Sequence, residues 1–235
     1  MYQFESRVRY SETDELGQLS LTGILNYLQD CSTFQSEDLG MGIKYLQERR
    51  RAWWLTSWQI VIERYPMLGE SITVSTWPYD FKGIYGYRNF AIRDLEGRYL
   101  VKAASIWFFF DTENQRPVKI QAEDIRGYGN SEPKLDMEYA PRRIALPREY
   151  EEREPVLVAR HHLDTNLHVN NAQYIDIARE LLPEDFCVKE LRAEYKKAAV
   201  LGDYMTPRVS RIQNGYVTAL CDSQGGPHAV VWLRE

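Results

Sequence analysis

Asp164, Asn166 and His168 are the residues of this 235-residue sequence whose types and spacing best suit chemistry. They alternate along the chain, so in extended backbone their side chains leave from one face. The carboxylate can act as a base or a nucleophile toward an acyl carbonyl, and the imidazole can polarise a water or donate a proton. The amide can hold a carbonyl or a water by donating its N–H groups. This combination predicts a hydrolytic site.

A predicted helix begins directly after these residues and must position them. Either Asn170 or Asn171 is suited to be its N-cap. The apolar residues that recur at helical spacing are Ala172, Ile175, Ala178 and Leu182. The N–H groups that open this helix are suited to an oxyanion. Composition alone leaves a second reading open, in which the loop's Asp and Asn side chains only satisfy turns and caps.

Other kinds of site have weaker support. His161, His162 and His168 suggest a metal, but neighbours on a strand point to opposite faces, so His161 and His162 would not converge. Cys31 lies in an apolar helical pattern, where a free cysteine behaves as a small buried hydrophobe. No phosphate-cradling glycine loop or dinucleotide fingerprint appears. We therefore expect neither a metal nor a cofactor.

The bulk composition is that of a soluble globular protein, with 44% hydrophobic and 27% charged residues. No apolar run reaches about 18 residues, so no membrane span is predicted. The N-terminus lacks a secretory signal pattern, which favours the cytoplasm. Three scattered cysteines argue against a disulfide framework. A net charge of −5 argues against general nucleic-acid binding, and a homodimer is left open.

Residues 1–111 have the pattern of an α+β unit. A strand over residues 3–10 precedes a helix that begins near Leu21, with Ser20 as its cap and Gly40 as its end signal. Long alternating runs follow, and a hairpin is predicted across residues 94–97. One long helix followed by four or five antiparallel strands predicts a sheet wrapped on the helix.

The pattern restarts at residue 156, after a proline-rich connector. Five of the ten prolines lie in residues 112–155, among dense charges. Residues 156–235 then repeat the order strand, polar loop, helix and strands, with a hairpin predicted at Asn214-Gly215. An offset of 150 residues places Asp14 on Asp164, but Leu16 and Gln18 stand opposite Asn166 and His168. Only the second copy keeps the polar residues.

The sequence resembles the acyl-ACP thioesterase family, in its bacterial form without a plastid signal, over nearly the whole chain. In the second copy the resemblance rests on Asp164-x-Asn166-x-His168-Val169-Asn170-Asn171-x-x-Tyr174. In the first copy it rests on Trp54-Leu55-Thr56, Ile62-Glu63-Arg64-Tyr65-Pro66, Thr76-Trp77-Pro78, Tyr87-Arg88-Asn89-Phe90 and Arg116-Pro117-Val118.

The resemblance implies two tandem hotdog units of α+β fold, each a long helix wrapped by an antiparallel sheet. Residues 1–111 would be the acyl-chain-binding unit with a degenerate site, 112–155 a connector, and 156–235 the catalytic unit. The implied enzyme hydrolyses fatty acyl-ACP to free fatty acid in fatty acid biosynthesis, with acyl carrier protein as its partner. Asp164, Asn166 and His168 match the family's catalytic Asp, Asn and His.

One departure from the family pattern concerns a catalytic Glu followed by Cys in plant members. Here Ala198 and Ala199 stand at the matching positions, and Glu194 is near in sequence without being the match. Two rival functions therefore stay open, an acyl-CoA thioesterase on the same scaffold and a non-catalytic acyl-binding protein. The clusters suited to an acidic carrier protein are Arg49-Arg50-Arg51, Arg142-Arg143 and Lys196-Lys197.

Overall fold

The computed structural model describes residues 1–129 and 132–235. The chain divides into two compact units. Unit 1 comprises Met1–Thr56 and Ile62–Tyr139, and unit 2 comprises Ser57–Val61 and Ala140–Glu235. Residues 112–139 of the predicted connector thus belong to unit 1 and residues 140–155 to unit 2. The functional boundaries expected at 111/112 and 155/156 stay a prediction.

The main helix of unit 1, α1, spans Leu21–Asp38 and confirms the predicted helix. It begins where Ser20 Oγ accepts a hydrogen bond from Gly23 N at 3.0 Å, which satisfies one donor of the first turn. It ends before Gly40, whose φ of +67° is the left-handed conformation that glycine adopts without strain. The apolar residues buried on its inner face are Ile24, Leu25, Leu28 and Cys31. A short helix, α2 (Ile43–Glu48), follows.

The sheet of unit 1 is antiparallel. Its long strands are β1 (Tyr2–Arg7), β3 (Ser71–Lys82), β4 (Tyr85–Arg93) and β5 (Tyr99–Asp111). Strand β2 (Arg51–Ile62) also belongs to unit 1, except for Ser57–Val61, which belong to unit 2. The pairing order β1-β3-β4-β5 follows from the registers Phe4↔Val74, Thr76↔Phe90 and Phe90↔Ala103. The predicted hairpin between β4 and β5 is confirmed, with Gly97 at φ +79°. Helix α1 packs mainly on β3.

Residues 112–139 add short elements to unit 1. Strand β6 (Arg116–Pro117) pairs with β5, and a four-residue helix, α3 (Ala122–Ile125), comes next. Leu135 is buried against Trp77 and Ala91. The semi-extended chain predicted here therefore also contains a helical turn and a core residue. A composition rich in proline and charge does not show where a single apolar residue meets a sheet.

Unit 2 repeats the same architecture with shorter elements. Its elements are β7 (Glu151–Glu152), β8 (Val156–Leu157), α4 (Asn171–Glu180), β9 (Glu190–Tyr195), β10 (Tyr204–Ile212), β11 (Gly215–Cys221) and β12 (Pro227–Arg234). The antiparallel order is β9-β12-β11-β10-β7, β8 also pairs with β10, and residues Ser57–Val61 of β2 pair with β9. The α+β class is thus confirmed in each unit.

The hairpin predicted at Asn214-Gly215 joins β10 to β11. Asn214 has φ +56°, as the tight turn requires. A Cβ on Gly215 would lie 2.1 Å from the carbonyl oxygen of Leu233, so only glycine fits there. In the described part of the chain, no helix has the length and apolar character needed to cross a membrane.

Candidate active site

The three predicted site residues lie in one tight turn of unit 2, which corrects the extended backbone expected for them. Asp164 N donates to the His168 carbonyl at 2.7 Å, and Leu167 N donates to the Asp164 carbonyl at 3.0 Å. Leu167 has φ +61°, in the left-handed region. The cause lies in the Asp164 side chain, because Asp residues bond backbone groups a few positions on and so compete with extended structure.

Asp164 organises the turn through one carboxylate oxygen. Oδ1 accepts from Asn166 N at 2.8 Å and from His168 N at 3.3 Å. Oδ2 accepts no hydrogen bond from any residue that the structure describes. Asp164 is half-buried, so one oxygen holds the backbone while the other can meet a water or a substrate. The turn brings Asp164, Asn166 and His168 together through backbone contacts.

His168 and Asn166 differ in environment. His168 is half-buried, and its backbone forms a β-bridge with Val200. Its neighbour Val169 donates to the Ala199 carbonyl at 2.9 Å, so a second loop fixes the segment. Asn166 is exposed at the tip of the turn. The imidazole is therefore held on a fixed backbone while the amide faces outward.

Asn170 is the N-cap of helix α4. Its Oδ1 accepts from Ala172 N at 2.9 Å, and its carbonyl accepts from Gln173 N at 2.9 Å. Two N–H groups of the first turn are therefore already bonded, and they are less available to an oxyanion than the sequence suggests. The positive end of the helix dipole still lies two residues beyond His168 and favours negative charge there.

Tyr174 is a site neighbour whose part the sequence did not reveal. It is 3% exposed, and its hydroxyl oxygen accepts from Ala199 N at 3.0 Å. Burial raises the pKa of Tyr174 to about 12, and the charges of Asp164 and Asp203 add to the rise. Tyr174 thus ties helix α4 to the loop that carries Ala199. The sequence feature that could have indicated this role is the position of Tyr174 in the motif, on the buried side of the helix.

The two positions at which the resemblance implies Glu and Cys carry alanines, which offer no acid. Ala198 is exposed, and Ala199 is fully buried. Glu194 is 8% exposed, with Oε1 accepting from Lys196 Nζ at 2.8 Å and Oε2 accepting from Ile144 N at 3.1 Å. Its carboxylate therefore joins strand β9 to residue 144 and is not a free replacement for the missing acid.

The two adjacent histidines lie side by side, which corrects the expectation that they diverge. Residues Arg160–His162 form a 3₁₀ turn instead of a strand, and the rings of His161 and His162 are 4.1 Å apart. His162 Nδ1 accepts from Ala159 N at 3.0 Å. Burial lowers the pKa of His162, and His161 lowers it further. Among the described residues, no three His, Cys, Asp or Glu side chains are grouped to hold a metal ion.

Cys31 lies in the core of unit 1. It has no exposed surface, and its Sγ is 3.6 Å from the carbonyl oxygen of Val74. Burial raises the pKa of this thiol to about 12. Because the thiolate is the nucleophile, a thiol with this pKa is unsuited to attack at neutral pH.

Unit 1 contains the same turn with different side chains. Asp14 Oδ1 accepts from Leu16 N at 3.0 Å and from Gln18 N at 2.9 Å. Gly17 has φ +71° at the position of Leu167. The internal repeat predicted from the sequence is confirmed at the level of single hydrogen bonds, and it separates the shared backbone from the polar residues found only in unit 2.

Comparison with protein families gives two matches. The model described as "Acyl-ACP thioesterase N-terminal domain" matches residues 1–128. The model described as "Acyl-ACP thioesterase C-terminal domain" matches residues 146–225.

Among curated relatives, a chloroplastic palmitoyl-acyl carrier protein thioesterase from Arabidopsis thaliana is 26% identical over 196 residues, which are 76% of this chain and 47% of the relative. A chloroplastic dodecanoyl-[acyl-carrier-protein] hydrolase from Cinnamomum camphora is 24% identical over 77% of this chain and 52% of the relative. The chain spans about half the length of the curated relatives it matches.

Two solved structures are similar along nearly their full length. An acyl-ACP thioesterase from Bacteroides thetaiotaomicron has a TM-score of 0.89 at 21% identity and covers 99% of this chain and 96% of its own. A 12:0-ACP thioesterase from Umbellularia californica has a TM-score of 0.85 at 18% identity, with the same two coverages. These likenesses confirm the fold of two tandem hotdog units.

Proposed function

This chain belongs to the acyl-ACP thioesterase family, and on that premise we propose that it hydrolyses the thioester between a fatty acyl chain and acyl carrier protein, releasing free fatty acid. The observation that carries the proposal is that the two carboxylate oxygens of Asp164 have different roles. One oxygen holds the backbone of Asn166 and His168, while the other bonds no described residue. A carboxylate fixed in this way suits the activation of a water.

In the proposed reaction, Asp164 takes a proton from a water with the help of His168. The water oxygen attacks the thioester carbonyl, and the Asn166 amide donates to the oxyanion that forms. The carbon–sulfur bond then breaks, and the carrier leaves as a thiolate. A thiol of pKa about 8.5 leaves with little protonation, so the site can act mainly on the nucleophile and the oxyanion.

A covalent route through Asp164 is the alternative mechanism. The carboxylate would attack the thioester carbonyl itself, and the carrier would leave as a thiolate when the carbon–sulfur bond breaks. Water would then open the anhydride that has formed. Label found in Asp164 after a single turnover in ¹⁸O-water would identify the covalent route. Opening the anhydride by attack at its Asp164 carbonyl places the label in the enzyme and leaves the fatty acid unlabelled. Direct attack by water labels only the fatty acid.

We assign unit 1 to the acyl chain and unit 2 to the chemistry. The support is the contrast at matching positions, since Leu16 and Gln18 of unit 1 stand where unit 2 has Asn166 and His168. The turn itself is the same in both units. The cytoplasmic location expected from the sequence stays a prediction.

The carrier protein is an acidic partner, so a chain with net charge −5 needs a local basic surface for it. Four residues of the first and third predicted clusters form ion pairs, which are Arg50–Glu113, Arg51–Asp111, Lys196–Glu194 and Lys197–Asp222. Arg142 and Arg143 are exposed, and Arg143 has no ion-pair partner within the described residues. We therefore propose that the Arg142-Arg143 cluster docks the carrier protein through Arg143.

A non-catalytic acyl-binding protein is the second candidate function. The exposed Ala198 favours it, because that position offers no acid to a substrate. An acyl-CoA thioesterase on the same scaffold is the third. Measuring kcat/KM on acyl-ACP and acyl-CoA with the same acyl chain separates all three. The proposal expects turnover with a preference for acyl-ACP, and tight acyl binding without turnover would contradict it.

The assignment of residues is tested on the same substrates with Asp164→Ala and His168→Ala. Each is expected to lower kcat by at least a hundredfold, since each removes a group that acts on the proton of the attacking water. Near-normal rates in both variants would show that the chemistry lies elsewhere.

A further inference from the structure

A buried cation without a carboxylate partner lies inside unit 1. Arg88 on strand β4 is 9% exposed. Its Nη1 donates to Gln35 Oε1 at 2.5 Å and to Thr76 Oγ1 at 3.1 Å, and its guanidinium lies 5.2 Å from the centre of the Tyr128 ring. All three partners are neutral. Within the described residues, no Asp or Glu forms an ion pair with Arg88.

This arrangement is costly for a charged group. A buried charge is normally paired, because removal from water is repaid only by an opposite charge or by several hydrogen bonds. Burial lowers the pKa of Arg88, yet an arginine side chain stays protonated in a protein. A neutral side chain would serve packing better at this position, so packing does not account for the residue.

The hydrogen bonds leave one edge of the guanidinium for a ligand. Both bonds come from Nη1, and Nε and Nη2 donate to no described residue. Nε and Nη2 point in parallel from one edge of the planar group, which is the geometry that binds the two oxygens of a carboxylate. An anion on this edge would supply the missing charge and the missing acceptors together.

Aromatic residues continue from this position on the same side of the sheet. The Tyr128 ring is 6.2 Å from Phe81, Phe81 is 6.3 Å from Trp53, and Trp53 is 4.7 Å from Phe109. Gly86 lies among them, and a Cβ there would approach Trp53 and Phe81 to 3.2 and 3.3 Å. Trp53, Phe81 and Tyr128 are each only half-buried. A hydrocarbon chain can bury apolar surface against such rings.

We propose that Arg88 anchors a carboxylate-binding site in unit 1, in which the aromatic group Trp53, Phe81, Phe109 and Tyr128 receives the hydrocarbon of a fatty acid. The existence of the site does not depend on catalysis, but its identification with the reaction product rests on the proposed function. A fatty acid held there would occupy the unit assigned to the acyl chain. Product would then slow further turnover.

Binding of dodecanoate, methyl dodecanoate and acetate to the whole chain, measured by calorimetry, tests the proposal. Dodecanoate and its methyl ester share the hydrocarbon and differ in charge, whereas acetate has the charge alone. We expect dodecanoate to bind at least tenfold tighter than the ester, and acetate to bind weakly. Equal binding of dodecanoate and ester would overturn the site. If acetate bound as tightly as dodecanoate, the ligand of the site would be a small carboxylate, and the assignment to a fatty acid would be wrong.

Single substitutions test whether Arg88 causes the preference for dodecanoate over its methyl ester. Arg88→Met keeps the length of the side chain, removes the charge, and is expected to abolish the preference for dodecanoate over its ester. The matched control is Arg93→Met on the same strand, where Arg93 donates to the Tyr99 hydroxyl at 2.8 Å. This control should keep the preference. A preference that survives Arg88→Met would overturn the proposal, whatever the wild-type result.

The turn of unit 2 that contains Asp164, Asn166 and His168 could also recognise the carboxylate of a product. The binding measurements are therefore repeated with Asp164→Asn. The proposal expects this variant to keep the preference, and its loss would move the recognition to unit 2. The binding measurements use no thioester, so their results can be interpreted even if the chain does not hydrolyse acyl-ACP. Should Arg88→Met not fold, Arg88→Lys keeps the charge without the two-pronged geometry and should weaken dodecanoate binding but not ester binding.

Discussion

Asp164 of unit 2 and Asp14 of unit 1 hold the same turn with the same carboxylate oxygen. Asp164 Oδ1 accepts from the backbone of residues 166 and 168, and Asp14 Oδ1 accepts from the backbone of residues 16 and 18. The structural role of the aspartate is therefore common to both units. What unit 2 adds is the amide and the imidazole placed on that turn.

The residue with positive φ is Gly17 in the turn of unit 1 and Leu167 in the turn of unit 2. We expect substitutions at these two positions to change stability in opposite directions. Gly17→Ala adds a Cβ at φ +71° and should lower the free energy of unfolding by about 1 kcal/mol. Leu167→Gly relieves the same strain at φ +61°, and the flexibility of glycine in the unfolded chain offsets part of the gain. We expect a net increase of about 0.5 kcal/mol, measured by urea unfolding. A loss would show that the Leu167 side chain contributes packing despite being 71% exposed.

Alkaline pH should destabilise the protein through Tyr174. Its pKa is raised from 10.0 to about 12 in the folded state, so the folded chain holds the proton more tightly. The stabilisation that this raised pKa gives the folded state is complete below pH 10 and is lost as the pH rises through about 12. Raising the pH from 9 to 11 should remove about 1.4 kcal/mol, since one pKa unit is about 1.36 kcal/mol.

Tyr174→Phe is the matched variant for this pH effect. It should be less stable at pH 8 by about 1–3 kcal/mol, because Ala199 N loses its acceptor in a buried place. Its stability should also fall less steeply between pH 9 and 11 than that of the wild type. Equal slopes for the two proteins would contradict the assignment of the alkaline loss to Tyr174.

Charge reversal at Arg143 should weaken use of the carrier-bound substrate. Arg143→Glu is expected to raise KM for acyl-ACP about tenfold at low salt and to reduce the dependence of kcat/KM on salt. The KM for acyl-CoA should change less. Arg211→Glu, another exposed arginine of unit 2, is the control. Equal effects of the two variants would indicate a general charge effect instead of docking at Arg142-Arg143.

Local signals in the sequence gave reliable predictions where the interaction itself is local. Ser20 and Asn170 cap their helices, and the Asn214-Gly215 hairpin forms, because each depends on a few adjacent residues. The repeat could be found because its spacing of 150 residues is preserved. Proline content could not show how residues 112–155 divide between the two units.

The missed features depend on contacts that spacing does not encode. The alternation of Asp164, Asn166 and His168 suggested a strand, and the bonds from Asp164 Oδ1 produce a turn instead. The contact from Tyr174 to Ala199 spans 25 residues and requires the fold. Arg88 was noted only as part of a motif, since its isolation from every described carboxylate appears only when the strands are assembled.

The most direct test of the account compares Asp164→Asn with Asp14→Asn in acyl-ACP hydrolysis. An amide oxygen can still accept the backbone N–H groups, so both turns should persist and both variants should keep a Tm close to that of the wild type. Asp164→Asn removes the carboxylate that acts on the water and should lower kcat at least a hundredfold, whereas Asp14→Asn should stay within about twofold of the wild type. Similar rates for the two variants would contradict the assignment of catalysis to Asp164.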